Sequence, residues 1–380
     1  MRTTAAVLEE MGRPAPYAES RPISLAEVDL DGPGPGEVLV RVAAAGLCHS
    51  DLSVVNGSRP RPTPMVLGHE AAGVVEDVGP GVDAVAPGDH VVFAFVPACG
   101  GCVPCQSGRP ALCEPGAAAN AAGTLLSGRR PFRRDGQPLH QHLGVSGFAG
   151  HTVAAAASLV RVPTDLPLER VALFGCALLT GVGAVLNTAR AQPGTAVVVF
   201  GLGGVGLSAV MGAGLAGCHP VVAVDPVAGK LALAARVGAT HGVQAGADSE
   251  ATVAEVREIT RGGADVAVEA VGSARVLATA YAATRRGGTT VTVGLPHPQE
   301  RLEVPAVSLV AEERRLVGSY MGSAVPRRDI PRYVALYQAG RLPVDALATG
   351  TLGLEQLNAG FDALASGQVV RQVLLLPPAG

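Results

Sequence analysis

Positive charge is what this sequence has too little of. Its 29 Lys and Arg stand against 32 Asp and Glu in 380 residues, so nothing supplies the field that binding a phosphate backbone requires, and no nucleic acid partner is expected. An early apolar stretch is also missing: MRTTAAVLEEMGRPAPYAES carries acidic residues where an export signal needs apolar ones, and the expectation is a cytoplasmic chain. Repeats and low-complexity segments are absent too. With 48% hydrophobic and 16% charged residues, 50 Gly and 29 Pro, the composition fits a globular α/β protein dense in tight turns, long enough for two domains. Two uncharged runs, VALFGCALLTGVGAVLNTA from Val171 and TAVVVFGLGGVGLSAVMGAGLAGC from Thr195, are long enough to imitate membrane spans. Both are dotted with Gly and the second leads into the buried-strand pattern VVAVDP, so both read as core and no membrane partner is expected.

What is present divides the chain in two. To about Val160 it reads as short strands cut by Gly and Pro, a β-rich, barrel-like pattern. After Pro167 come apolar strand candidates (TAVVVFG, PVVAVD, ADVAVEAVG, GGTTVTVGL), with helical stretches lying between them. That alternation predicts a doubly wound parallel sheet covered on both faces. The end of the chain turns amphipathic and closes in the strand candidate QVVRQVLLL.

In VVVFGLGGVGLSAV, Gly201, Gly203 and Gly206 have GxGxxG spacing after a strand and before a helix. The first Gly makes the turn, the second lets backbone approach a pyrophosphate, and the third allows close helix–strand packing. Gly204 and Val205 lie at the helix N-terminus, where unpaired N–H groups face the phosphates. Asp225 ends the next strand, placed to accept from an adenosine ribose and to repel a 2′-phosphate, which favours NAD over NADP. The alternative is a Gly-rich turn that only packs.

Seven cysteines are an odd number, and a reducing compartment directs clustered thiols to metal or catalysis rather than to disulfides. PACGGCVPCQSGRPALC carries Cys99, Cys102, Cys105 and Cys113. Four thiolates close a tetrahedral zinc shell and leave no room for substrate, which describes a structural site. An iron–sulfur cluster is the rival, although the last spacing is too long for the ferredoxin run; free thiols are the third reading. A second set is scattered: Cys48 in GLCHSD, His69 and Glu70 in VLGHEAAGVVEDVG, and Cys176 in LFGCALLTG. Two thiolates and one imidazole make a three-ligand zinc site with an open fourth position, and Asp51 and Glu70 could hold the imidazole from behind. Cys176, in an apolar run, has a plain core reading as well, and Cys218 reads as a small buried residue. The basic run SGRRPFRRDG (127–136) reads as a solvated loop, with recognition of an anionic substrate tail as the other reading.

Over essentially its whole length the chain resembles the zinc-dependent medium-chain alcohol dehydrogenases, in their dimeric, class III-like branch. GHEAAGVVEDVGPGV fits the family's zinc signature, and Cys-x-Ser-Asp, Gly-His-Glu, the cysteine cluster, the later Cys, GxGxxG and a terminal basic residue follow in family order. The resemblance implies a GroES-like catalytic domain over 1–177 and 321–380 and a Rossmann NAD-binding domain over 178–320. It implies Cys48, His69 and Cys176 as catalytic zinc ligands, Cys99, Cys102, Cys105 and Cys113 as structural ones, and two zinc ions per subunit. Ser50 corresponds to the hydroxyl that bonds the substrate alcohol. His49 and Arg371 correspond to cofactor-phosphate contacts, Asp225 and Lys230 to ribose contacts, and Phe95, Leu143 and Tyr320 to the substrate surround. Ser53 stands where many members place the His that ends the proton relay, and a serine has no titration near neutrality. The segment from about Glu114 to His140 resembles the insertion of the dimeric branch, hence a homodimer. The implied reaction is reversible oxidation of an alcohol with NAD. The alternatives are the thiol-adduct branch, which oxidises a hydroxymethyl thiol, and a protein that holds nucleotide and zinc without turnover.

Overall fold

The computed structural model describes residues 1–367 and 369–376, and the chain divides into two units. The first holds Met1–Cys176, Val325–Val334 and the chain from Ala348; the second holds Ala177–Ala324 and Ala335–Leu347. That Ala335–Leu347 groups with the second unit has no sign in the sequence.

The first unit is built on two sheets of mainly antiparallel strands. One runs, in spatial order, Gln137–Pro138, Phe132–Arg134, Ile23–Leu30, Arg2–Leu8, Met65–Val66, His140–Gln141. The other runs Leu159–Val162, His90–Phe93, Glu70–Val78, Glu37–Gly46, Gln372–Leu375, Gly350–Leu352, with His151–Ala155 also paired to Glu37–Gly46. Inward positions of these strands are Val, Leu and Ala, and Val7, Val66, Leu125, Phe132, Leu139 and Val153 form one apolar cluster. The terminal strand expected over QVVRQVLLL is observed at Gln372–Leu375, while Gln368 lies outside the described residues.

The SGRRPFRRDG stretch is not the solvated loop expected of it. Arg129 pairs with Glu37, whose side chain is 2% exposed, and Ser127 Oγ donates to the same carboxylate at 2.6 Å. Arg133 Nε reaches Asp31 Oδ2 at 3.4 Å, and Arg134 forks onto Glu9 at 2.6 and 2.9 Å. The run ties a hairpin to the sheet edge, because its counter-charges lie far away in sequence.

In the second unit, strands β1 (Val197–Phe200), β2 (Val221–Asp225), β3 (His241–Gln244), β4 (Ala264–Glu269), β5 (Thr284–Thr292) and β6 (Arg315–Gly318) form a parallel sheet ordered β3-β2-β1-β4-β5-β6. Helices α1 (Gly204–Leu215), α2 (Ala228–Arg236), α3 (Ser249–Ile259) and α4 (Ala274–Ala283) connect the first strands. This is the doubly wound order whose chain reversal falls between β1 and β4. Strands β1 and β2 are buried at every position, which explains their unbroken apolar runs. The segments HGVQ and RLVG carry no such run, lie at the sheet edges and gave no strand signal. Both uncharged runs resolve into buried helix and strand, and no single helix among the described residues is long and apolar enough to cross a membrane.

Candidate active site

Pairing of Glu37–Gly46 with Glu70–Val78 sets Gly46 opposite Glu70 and so draws the segment after Gly46 toward His69. Cys48 caps the helix His49–Val55, and Asp51, in its first turn, accepts the Cys48 N–H at 3.3 Å. Cys176 follows the helical turn Ala172–Gly175, which packs on His90–Phe93. The outcome is one buried cluster in the first unit: the ligand atoms of Cys48, His69, Glu70 and Cys176 lie within 4.8 Å of one another. His69 Nε2 stands 3.5 Å from Cys176 Sγ, while its Nδ1 faces Asp51 Oδ1 at 2.9 Å. The carboxylate thus fixes the tautomer that leaves Nε2 for a metal. Asp51 lies behind the imidazole; Glu70 is closer in than expected, among the ligand atoms themselves.

The electrostatics test whether a cation fits here. Cys176 donates a hydrogen bond to Cys48, which holds Cys48 well below the ordinary thiol range against the opposing effect of burial, and the same bond, with burial, drives Cys176 well above it. Burial pushes the Glu70 carboxyl up to about 7 despite the nearby Arg371. Neither Glu70 oxygen has a hydrogen-bond partner among the described residues. Burial disfavours charge on His69, yet Asp51 carries it well above the usual histidine range. Two thiols, an imidazole and a carboxylate without hydrogen-bond partners, all dry, fit a divalent cation.

The second constellation also comes together. The sulfurs of Cys99, Cys102, Cys105 and Cys113 lie within 4.8 Å of one another. Backbone N–H groups aim at them: Cys99 N at Cys113 Sγ (3.2 Å), Cys102 N at Cys99 Sγ (3.3 Å) and Gly116 N at Cys113 Sγ (3.4 Å). Such donors stabilise thiolates, and Cys102 is lowered to about 7 mainly through a backbone hydrogen bond, whereas burial raises Cys105 to about 12. The four fit a closed metal shell. All seven cysteines are free thiols, and Cys218 is buried as expected.

At the nucleotide fingerprint, Gly203 precedes α1 in extended conformation, and a Cβ built on it would meet nothing within 4 Å. A Cβ on Gly206 would fall 1.7 Å from the Gly201 carbonyl oxygen. The middle glycine therefore leaves open space and the last one allows contact packing. Asp225, at the end of β2, is 5% exposed and accepts from Leu202 N (2.8 Å) and Val227 N (2.9 Å), so it also braces the glycine turn. Lys230 is half-buried in the first turns of α2.

Of the remaining expected positions, His49 is exposed and Ser50 half-buried at the start of the helix after Cys48. Ser53 Oγ donates back to the His49 carbonyl at 2.8 Å, so its hydroxyl is engaged within the helix. Arg371 is 4% exposed and turned inward: Nη1 donates to Leu47 O at 2.7 Å and stands 3.4 Å from Glu70 Oε2. Phe95 meets the His69 ring edge-on at 5.3 Å, and Leu143, buried, adopts φ 51°. Tyr320, in the second unit, is 38% exposed. Sequence reasoning missed His142, which is 1% exposed and stands 3.2 Å from Asp51 through Nε2. An isolated histidine in a turn offered no signal.

A buried cage of two thiols, an imidazole and a carboxylate, in a chain that also carries a doubly wound sheet with a GxGxxG turn, is the arrangement of a metal-dependent dehydrogenase. Comparison with known proteins agrees. Residues 34–164 match the alcohol dehydrogenase GroES-like domain and residues 204–339 the zinc-binding dehydrogenase domain. A putative alcohol dehydrogenase D of Mycobacterium tuberculosis is 43% identical over 379 residues, covering 99% of this chain and 100% of that one. An NDMA-dependent alcohol dehydrogenase of Amycolatopsis methanolica is 40% identical, with 99% of each chain covered. An S-(hydroxymethyl)glutathione dehydrogenase of Paracoccus denitrificans is 36% identical, covering 99% and 100%. Among solved structures, an alcohol dehydrogenase zinc-binding domain protein from Burkholderia ambifaria superposes with a TM-score of 0.93 at 39% identity, all of both chains covered. The benzyl alcohol dehydrogenase of Acinetobacter calcoaceticus gives 0.91 at 31% identity, covering 99% and 100%. The chain belongs to the zinc-dependent medium-chain alcohol dehydrogenase family and is an oxidoreductase of that family.

Proposed function

We propose that this chain oxidises an alcohol to an aldehyde or ketone, reversibly, with NAD as hydride acceptor and two zinc ions per subunit. The observation that carries the reading is the buried cage of Cys48, His69 and Cys176, two thiols and an imidazole, with the Glu70 carboxylate beside them and no fourth cysteine. A bound zinc supplies Lewis acidity toward the substrate oxygen, and a bound nicotinamide accepts hydride. The chain's own groups do the rest. Asp51 keeps the His69 proton on Nδ1, Ser50 takes up the proton leaving the alcohol, and Phe95 lends an apolar wall beside His69. Ser50 accepts that proton as it releases its own toward the cofactor ribose and solvent, and Ser53, which donates to the His49 carbonyl, offers no group that titrates near neutrality to end the relay. Gly201, Gly203, Gly204, Val205 and Gly206 form the pyrophosphate turn, with Asp225 and Lys230 for an unphosphorylated ribose and His49 and Arg371 as the cationic groups.

A homodimer is supported by the helix Ala306–Ala311, where Val307 and Val310 are 71% and 82% exposed, and by the open edge of the sheet at β6. Thiol ligands suit the reducing cytoplasm, where we place the protein. The name of the Paracoccus relative favours a second reading, oxidation of a hydroxymethyl thiol adduct.

Elemental analysis of active protein is expected to return two zinc ions per subunit, and Cys48→Ala to abolish turnover while NADH still binds. One zinc or none on fully active enzyme, or a near-normal Cys48→Ala rate, refutes the assignment. A screen of primary, secondary, aromatic and terpenoid alcohols, with and without NDMA, and of formaldehyde with and without glutathione or mycothiol, separates the two readings.

A further inference from the structure

Asp51 has one more neighbour than the metal-site logic requires. Its Oδ1 accepts from His69 Nδ1 at 2.9 Å and also lies 3.2 Å from His142 Nε2; its Oδ2 takes the Cys48 N–H. The His142 ring meets the His69 ring edge-on, with centroids 5.7 Å apart. Neither ring nitrogen of His142 makes a hydrogen bond of good geometry among the described residues, and Nε2 lies within ion-pair reach of Asp51. A phenyl ring would fill the same dry space without burying two ring nitrogens, so the polar edge facing Asp51 needs its own reason.

The backbone aims that edge. His142 N–H donates to Ser146 Oγ at 2.9 Å, and Ser146 Oγ donates to Val66 O at 2.8 Å, three residues before His69. The His142 carbonyl receives the N–H groups of Val145 and Ser146 at 3.0 and 3.1 Å, and Thr152 Oγ1 closes on Val145 O at 2.6 Å. Turn and strand are thereby locked together, and the imidazole has a fixed place beside the carboxylate.

We propose that His142 is a positioning residue for the catalytic metal: its Nε2 edge holds the Asp51 carboxylate in the orientation that keeps the His69 proton on Nδ1 and leaves His69 Nε2 to the ion. The inference rests on the zinc reading of the Cys48, His69 and Cys176 cage. Loss of an outer partner of this kind lowers metal affinity by about 10–100-fold.

The test compares His142→Phe, His142→Gln and His142→Asn with Asp51→Asn in the full-length protein. Glutamine carries its amide nitrogen about as far out as Nε2, and asparagine only as far as Nδ1. Active-site zinc is measured by competition with a chelator, zinc at Cys99, Cys102, Cys105 and Cys113 reports folding, and the visible spectrum of the cobalt-exchanged protein reports ligand geometry. The expected result is a loss of at least about 10-fold in active-site zinc affinity, with shifted cobalt bands, in the Phe and Asn variants and near-normal values in the Gln variant. If His142→Phe holds metal like the parent while Asp51→Asn loses it, Asp51 acts without His142 and the proposal is wrong. If Asp51→Asn is also unchanged, the cage reading fails and takes the proposal with it. Should His142→Phe not fold, equal zinc affinity in the Gln and Asn variants overturns the proposal.

Discussion

Replacing Gly203 or Gly206 with alanine separates two jobs that one glycine motif performs. At Gly206 the added methyl would sit 1.7 Å from the Gly201 carbonyl oxygen, where an ordinary contact is about 3.5 Å. The start of α1 would have to retreat by roughly 1.8 Å, yet Gly201 is tied to β2 by its N–H bond to Val224 O at 2.9 Å. Overpacking against backbone costs about 3 kcal/mol, the upper end of the usual range, or roughly 6–12 °C in melting temperature for a unit of this size. At Gly203 the methyl meets nothing within 4 Å, and φ of −75° suits alanine. Stability should hold or rise by about 0.4–1 kcal/mol, because the unfolded chain loses freedom. That same methyl would fill the cradle offered to a pyrophosphate, weakening NADH by about 1–3 kcal/mol, or roughly 5–150-fold. Calorimetry and NADH fluorescence titration on both variants check this. A Gly203→Ala protein that binds NADH as the parent does refutes the cradle, and a Gly206→Ala protein that melts with the parent refutes the close packing.

Two further outcomes follow from the first unit. Cys105→Ala should lose one zinc and stability before it loses chemistry, since the four-thiolate lobe, rich in Gly and Pro, depends on its metal for folding free energy; thermal melts against residual activity reveal the order, and the reverse order overturns the structural assignment. The Glu9 carboxyl is held below its ordinary 4.5 chiefly by Arg134. A lowered carboxyl contributes stability that is complete above about pH 4.5 and fades as the pH falls through its folded value. Arg134→Ala should therefore cost up to about 1 kcal/mol at pH 7, less at high salt because both side chains are part-exposed, and nothing once Glu9 is protonated. Urea melts at pH 7 on Arg134→Ala with and without Glu9→Gln measure the pair, and an equal loss in both backgrounds rules it out as the source.

The sequence was most legible where chemistry is local. Cys99 to Cys113 and Gly201 to Gly206 each fit in one short stretch, and spacing alone conveys their geometry. The unbroken runs of β1 and β2 announced a parallel sheet because burial on both faces leaves no alternation to read. The short edge strands HGVQ and RLVG carried no such signal. The residue types of the cage suggested a metal site, but only the resemblance joined them, since Cys48, His69 and Cys176 are scattered and meet through strand pairing. His142 was invisible, because its meaning is created by a turn that carries it to Asp51. The arginines of SGRRPFRRDG read as a solvated loop for the same reason: Glu9, Asp31 and Glu37 become neighbours only in the folded sheet.

Asp51 ends the helix cap at Cys48 and braces His69 with a single carboxylate, so ligand geometry and helix start cannot drift apart through small changes. Variation is then confined. Positions 48 and 51 are fixed together with 69, while His49, Ser50 and Ser53 remain partly open to solvent on the same short helix. Of these, Ser53, whose hydroxyl closes back on its own helix, is the position where a lineage or an engineer can change the residue and leave the metal's address unchanged.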